Sequence, residues 1–232
     1  MIRRPGLLRP RRGGAVVPLA AWDATALAAA FGVLREKLAL AKRRSLAVDV
    51  CLATRFAFLD VARGDFGACT PARLRDIAEA MVEEAGLKGP EHRLVRWQLT
   101  DGGRRLFVAA LEAGVLELVA QALSAAGMRA GSMQLVFAAR WNAARAASRG
   151  ADGVFASVEG DQVVLARLEK GEIAALDQGL VRDSAQATLD RRADRFFARL
   201  GVSPGSGRFL ACGAGALSPR WQAIDPAGAQ LR

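Results

Sequence analysis

The spacing of apolar residues predicts amphipathic helices separated by strands. An N-cap at Asp23 precedes apolar side chains at intervals of three and four, and Thr70-Pro71 is a strong helix start. The first predicted helix runs from the N-cap at Asp23 to Lys42-Arg43-Arg44. Further helices are predicted over residues 70–86, 112–126 and 183–200, with a short one through Trp141 and Arg145. The chain is therefore expected to be helical in part. The face formed by Leu27, Phe31, Leu34 and Leu38 is either buried internally or offered to a partner.

Short apolar runs bounded by turn residues predict strands between these helices. Asp101-Gly102-Gly103 lies between two such runs and predicts a hairpin, and a short turn is expected between the first two strands. The predicted strands are Leu46–Val50, Arg55–Ala62, Leu94–Thr100, Arg104–Leu111, Ser132–Phe137, Val154–Glu159, Gln162–Leu168, Ile173–Leu180 and Arg208–Cys212. Together the two patterns predict an α/β protein with mixed sheets and packed helices.

Glycine-rich and proline-rich segments divide the chain into predicted parts. Residues 1–12 contain prolines and arginines and are expected to be a flexible basic arm. Gly150-Ala151-Asp152-Gly153 marks a boundary between a first domain, 13–150, and a second, 151–217. Residues 218–232 lack apolar periodicity and are expected to form an irregular tail.

Composition and charge are those of a globular protein with a basic start. The sequence is 52% hydrophobic and 24% charged, and no apolar run approaches the ~20 residues that span a bilayer, so a cytoplasmic chain is expected. Half of the formal net charge of +10 belongs to Arg3, Arg4, Arg9, Arg11 and Arg12. This arm is a disordered tail, a contact for an anionic membrane surface, or a contact for nucleic-acid phosphates. The scattered cysteines and the single histidine predict no metal site.

Two segments resemble the actin-like ATPase superfamily. Arg208–Leu217 resembles its strand-then-glycine adenosine motif, and Arg104–Arg145 resembles the PilM and type II secretion L-protein group. The resemblance implies an actin-like, ribonuclease-H-like fold in which 13–150 is the first lobe and 151–217 a second, truncated lobe. It also implies partners that are membrane-anchored pilus or secretion components.

The same resemblance implies an ATP and magnesium site, from which this sequence departs. Asp49, Gly213 and Gly215 match the expected acid and glycine turn, and they are treated as vestigial nucleotide-binding residues. Cys51 stands where a phosphate-loop glycine is expected, and Glu159-Gly160-Asp161 is too tight to cradle a phosphate. Both loops are interpreted as plain β-turns, and no cofactor and no catalytic residue are expected.

These observations favour a non-catalytic scaffold of a bacterial type IV pilus or type II secretion platform. It would act by protein–protein interaction at the inner face of the inner membrane, held there through its partners. Two alternatives remain: a functional actin-like ATPase, and an arginine-rich nucleic-acid-binding protein.

Overall fold

A computed structural model of the chain describes residues 23–37, 46–87, 89–181, 184–203 and 207–224. The basic arm, Leu38 and residues 225–232 of the tail lie outside the described residues. The helices are α1 (Ala24–Lys37), α2 (Pro71–Glu84), α3 (Ala113–Ala125), α4 (Val136–Ser148) and α5 (Ala185–Arg199). The strands are β1 (Leu46–Leu52), β2 (Ala57–Arg63), β3 (Arg93–Thr100), β4 (Arg105–Glu112), β5 (Met128–Leu135), β6 (Gly153–Glu159), β7 (Gln162–Glu169), β8 (Glu172–Leu180), β9 (Arg208–Cys212) and β10 (Gln222–Ala223).

The described residues fall into two compact units, each formed from two chain segments. The smaller unit lies within Met1–Asp49 and Leu116–Ser132, and the larger within Val50–Val115 and Met133–Arg232. The boundary between two lobes that the sequence predicts near residue 150 is not tested by this division into units and stays a prediction.

In the smaller unit, hydrogen bonds hold α1 near both of its ends. The Asp23 carboxylate accepts from the backbone N–H of Ala26 at 2.8 Å, which confirms the predicted N-cap. Near the other end, Arg35 donates to the backbone carbonyl of Ala126 at 2.9 Å. Leu27 is buried, whereas Phe31 and Leu34 are half-buried. The first turn of the predicted apolar face therefore belongs to the core of this unit.

A three-stranded antiparallel sheet in the larger unit has the order β2-β4-β3. The predicted hairpin is confirmed, with Thr100 opposite Arg105 and a short turn over Asp101–Gly103. One face of this sheet packs on α2, whose side chains Leu74, Ala78 and Val82 are buried. The Thr70 hydroxyl caps this helix by accepting from the backbone N–H of Arg73 at 3.3 Å.

The short turn expected between the first two strands is present, although these strands do not pair with each other. β1 pairs with β5 in a two-stranded sheet, whereas β2 pairs with β4. A short 3₁₀ turn, Thr54–Phe56, lies between them. The alternating pattern of β1 is compatible with either pairing, so local periodicity does not choose the partner.

A five-stranded sheet in the larger unit has the order β10-β9-β6-β7-β8. The strands β6, β7 and β8 form an antiparallel meander, and β9 returns through α5 to pair in parallel with β6. Strands in the centre of this sheet are buried along almost their whole length, which explains their continuous apolar runs. Three strands, a helix and a further strand are the arrangement that the resemblance implies.

The part of the predicted irregular tail that the structure describes, residues 218–224, is packed against the protein. Trp221 is buried with its ring edge-on to Phe209, at 5.2 Å between centroids, and its Nε1 donates to Asp190 at 2.8 Å. The next residues form β10, parallel to β9. Residues 213–221 contain no helix, so the lobe is shortened in this connection, while its sheet keeps a fifth strand of two residues.

Candidate functional site

The first predicted phosphate loop is a strand rather than a β-turn. Asp49 is exposed in the smaller unit and accepts a 2.6 Å hydrogen bond from the Ser132 hydroxyl. Cys51 is exposed in the larger unit, where the side-chain amide of Gln134 donates to its sulfur at 3.7 Å. Both contacts cross from β1 to β5, because the pairing places these side chains opposite one another. The interpretation of this segment as a turn is therefore corrected.

The second predicted loop is the tight turn expected from the sequence. Glu159 pairs with Gln162 across β6 and β7, which leaves Gly160 and Asp161 as the two turn residues. Gly160 has a φ of +58°, in the left-handed region that glycine adopts without strain.

The Glu159 carboxylate is bound by a residue distant in sequence. Its Oε2 accepts from the backbone N–H of Thr54 at 2.9 Å, and its Oε1 accepts from the Thr54 hydroxyl. That hydroxyl oxygen in turn accepts from the backbone N–H of Phe137 at 3.1 Å, at the start of α4. Thr54 is 1% exposed. The carboxylate thus fastens the 3₁₀ turn to the end of β6.

Arg140 of α4 occupies the space beside Gly213. Its guanidinium donates to the Ser157 hydroxyl at 3.1 Å and to the Val158 carbonyl at 2.5 Å. Gly213 has a φ of +80°, and a Cβ there would meet the Val158 carbonyl oxygen and lie 2.6 Å from the Arg140 nitrogens. A Cβ at Gly215 would meet no atom within 4 Å. Packing within the protein therefore requires glycine at 213 and does not require it at 215.

These contacts define what we call the Glu159 cluster: Thr54, Arg140, Ser157, Glu159 and Gly213. All of its members lie in the larger unit. Arg140 and Thr54 were not found by sequence reasoning, because Thr54 and Glu159 are 105 positions apart and no local pattern connects them. The cluster takes up Glu159 of the second predicted loop and Gly213 of the adenosine-like motif, whereas Asp49, the acid matched in the sequence, lies outside it.

A second feature of the larger unit is a groove of about 250 Å³ beside α4, which we call the α4 groove. Its apolar part is formed by Leu59, Phe107, Leu135, Phe137, Trp141 and Ile173. Trp141 is also held against Phe155, with ring centroids 5.5 Å apart. Polar side chains complete the lining: Gln98 and Thr100 of β3, Asn142 and Arg145 of α4, and Glu172 of β8. The groove therefore combines an apolar lining with polar and charged groups.

The described part of the chain shows neither clustered metal ligands nor a membrane-spanning helix. Those residues contain no group of three histidine, cysteine, aspartate or glutamate side chains that could hold a metal ion. Among the helices described, none has the length and apolar character needed to cross a membrane.

Comparison with known proteins identifies the fold. No protein-family model matches the chain, and no curated protein matches it significantly. A chain of a PilM–PilN type IV pilus biogenesis complex is similar over 95% of this chain and 81% of its own length, with 15% identity and a TM-score of 0.59. The chain has the actin-like fold of the PilM group.

Two further solved structures give weaker matches to this actin-like chain. The cytoplasmic domain of EpsL, an inner-membrane component of the type II secretion system of Vibrio cholerae, is 16% identical over 88% of this chain and 76% of its own, with a TM-score of 0.49. A Bacteroides thetaiotaomicron protein with an actin-like ATPase fold is 11% identical over 75% of this chain, with a TM-score of 0.45. This chain covers 61% of the length of that protein.

Proposed function

We propose that the chain is a non-catalytic cytoplasmic scaffold that binds a membrane-anchored component of a type IV pilus or type II secretion platform. The observation that carries this proposal is the Glu159 cluster. In it, Thr54 engages the Glu159 carboxylate of the second predicted loop, and Arg140 fills the space beside Gly213 of the adenosine-like motif.

The chemistry of nucleotide binding explains why this observation matters. Magnesium needs carboxylate oxygens or water held by them, and phosphates need backbone N–H groups that open glycine turns present. Both Glu159 oxygens instead accept hydrogen bonds from Thr54. The space over Gly213 holds a guanidinium group. Binding Mg-ATP here would require these contacts to break first.

The α4 groove is the surface that we assign to the partner. Its lining includes the half-buried rings of Phe107 and Trp141, which suit a short apolar segment of another protein. The chain of similar fold comes from a complex named for PilM and PilN, so a protein with this fold has been captured with a partner. In this chain the partner would be a pilus or secretion component, which would also place the chain at the inner face of the membrane.

Capture from detergent-solubilised membranes tests the proposal. The tagged full chain should recover a pilus or secretion component, identified by mass spectrometry, and Trp141→Ala should lose it. Trp97→Ala is the matched control, because it removes the same kind of side chain from β3, on the sheet face that packs on α2 and not on the groove. Recovery of no such component, or equal recovery by both variants, would contradict partner binding at the groove.

A functional ATPase is the second candidate, and the Gly213–Gly215 turn is the observation that favours it. Its strand-then-glycine shape is kept, with Gly213 in the left-handed region directly after β9. Saturable binding of Mg-ATP would select this candidate over the scaffold.

A further inference from the structure

The α4 groove adjoins one polar row of the three-stranded sheet. Thr100 is opposite Arg105 across β3 and β4, and Arg105 is opposite Arg63 across β4 and β2. Directly opposite residues in an antiparallel sheet project from the same face. Phe107 is two positions from Arg105 along β4, so it shares that face, and it forms part of the groove lining. The groove residues Phe107 and Thr100 therefore share a sheet face with two neighbouring arginines.

The positive charge of this row is incompletely balanced. Arg63, Arg105 and Arg167 share the single carboxylate of Glu169, with Arg63 at 2.9 Å and Arg167 at 2.7 Å, and Asp101 lies 3.4 Å from Arg105. The side chain of Arg105 is only 8% exposed. Its Nη1 and the Thr100 hydroxyl are both buried without a hydrogen-bond partner among the described residues. Arg105 is paired with two carboxylates, and the row as a whole sets three guanidinium groups against the carboxylates of Glu169 and Asp101, which the surrounding protein screens weakly.

Further cations continue this charge along the surface. A recess of about 380 Å³ adjoins the groove and shares Arg145 and Glu172 with it. Its charged lining consists of Arg145, Arg149 and Lys170 against Glu172 alone, and Glu172 already pairs with Arg145 at 3.4 Å. We call this recess and the part of the groove that adjoins it the basic end. The basic end thus carries more guanidinium and ammonium groups than carboxylates.

We propose that the α4 groove selects a partner segment in which an acidic side chain lies next to apolar ones. The apolar side chains would occupy the apolar lining, and the carboxylate would lie at the basic end. Arginine binds carboxylates through paired, charge-assisted hydrogen bonds, whereas a lysine at the same place in the partner would be repelled. This inference rests on the proposed function, because it assigns the chemistry of the partner that the scaffold binds.

Selection from a display library of random hexapeptides, with the full chain immobilised, tests the preference with no partner chosen in advance. Peptides enriched over the Trp141→Ala variant should carry aspartate or glutamate beside leucine, isoleucine or an aromatic residue. Enriched peptides with no excess of acidic residues would overturn the inference and leave groove docking intact. If no peptide is enriched over the Trp141→Ala variant, docking at the groove is wrong, and the proposed function and the inference both fail.

Fluorescence anisotropy with one selected peptide then locates the carboxylate. Changing its acid to the matching amide should weaken binding about tenfold, as for loss of one charged hydrogen bond. The double variant Arg145→Gln/Arg149→Gln should abolish that difference. The exposed pair on α2, altered as Arg73→Gln/Arg75→Gln, should retain it. If both double variants lose this difference in binding equally, the net charge of the protein explains it, and the assignment of the carboxylate to the basic end is overturned.

Vesicles of phosphatidylglycerol test whether a lipid headgroup, rather than a peptide carboxylate, occupies the basic end. We expect the selected peptide to bind equally well in their presence. If the vesicles displace it, and if their own binding requires Arg145 and Arg149, the occupant of the basic end is a lipid headgroup and the peptide proposal is overturned.

Discussion

Replacing Thr54 by valine should destabilise the protein strongly, although the two side chains have nearly the same shape. The change removes the hydroxyl that donates to Glu159 and accepts from the backbone N–H of Phe137 at 3.1 Å. A hydrogen bond to a charged group contributes about 1.5–3 kcal/mol, and a buried N–H left without an acceptor costs about 1–3 kcal/mol. The backbone contact from Thr54 to Glu159 at 2.9 Å is retained, which limits the loss.

Together these terms predict a fall of about 2.5–6 kcal/mol in the free energy of unfolding. For a chain of this size that corresponds to a fall in melting temperature of about 5–24 °C. Urea unfolding followed by circular dichroism gives the free energy, and calorimetry gives the melting temperature.

Thr188→Val is the matched control for this measurement. Thr188 is 4% exposed in α5, and its hydroxyl is buried without a hydrogen-bond partner among the described residues. The same chemical change should therefore alter stability there by less than about 1 kcal/mol, since no hydrogen bond is lost. Equal effects at the two threonines would refute the reasoning, because they would show that the contacts of Thr54 contribute nothing beyond those of an isolated hydroxyl.

Three other changes test the remaining parts of the account. Gly213→Ala should lower the free energy of unfolding by about 1–3 kcal/mol, because its Cβ would meet Arg140 and the backbone at a positive φ. Gly215→Ala should leave that free energy nearly unchanged in the same urea titration. Trp221→Ala should cost about 3–5 kcal/mol by removing a buried ring and its bond to Asp190, and near-native stability would show that the tail is not packed. Glu159→Gln should lower stability by about 1–3 kcal/mol without restoring Mg-ATP binding, as measured by urea unfolding and calorimetric titration; unchanged stability would contradict the cluster.

Local signals were sufficient where the structure depends on neighbouring residues. Thr70-Pro71 predicts the start of α2 because a hydroxyl cap and a proline act within one turn. The turn at Asp101–Gly103 predicts the β3–β4 hairpin for the same reason. The pattern also predicts the chain order of three strands, a helix and a further strand, and β6, β7, β8, α5 and β9 confirm it.

Contacts between distant residues could not be predicted in this way. The β1–β5 pairing brings Asp49 to Ser132, 83 positions away, and both segments have patterns that fit other partners. The contact of Thr54 with Glu159 likewise has no sequence signature, because a single threonine and a single glutamate occur in many settings. The packing of Trp221 was missed because β10 has only two residues, too few to show any periodicity.

Calorimetric titration of the full chain with Mg-ATP tests the central claim most directly. If Thr54 and Arg140 hold Glu159 and the space at Gly213 as the structure shows, no saturable heat should appear at nucleotide concentrations up to about 1 mM, where binding would be worth only about 4 kcal/mol. Stoichiometric binding with a micromolar dissociation constant would contradict the claim that these contacts have replaced a nucleotide site.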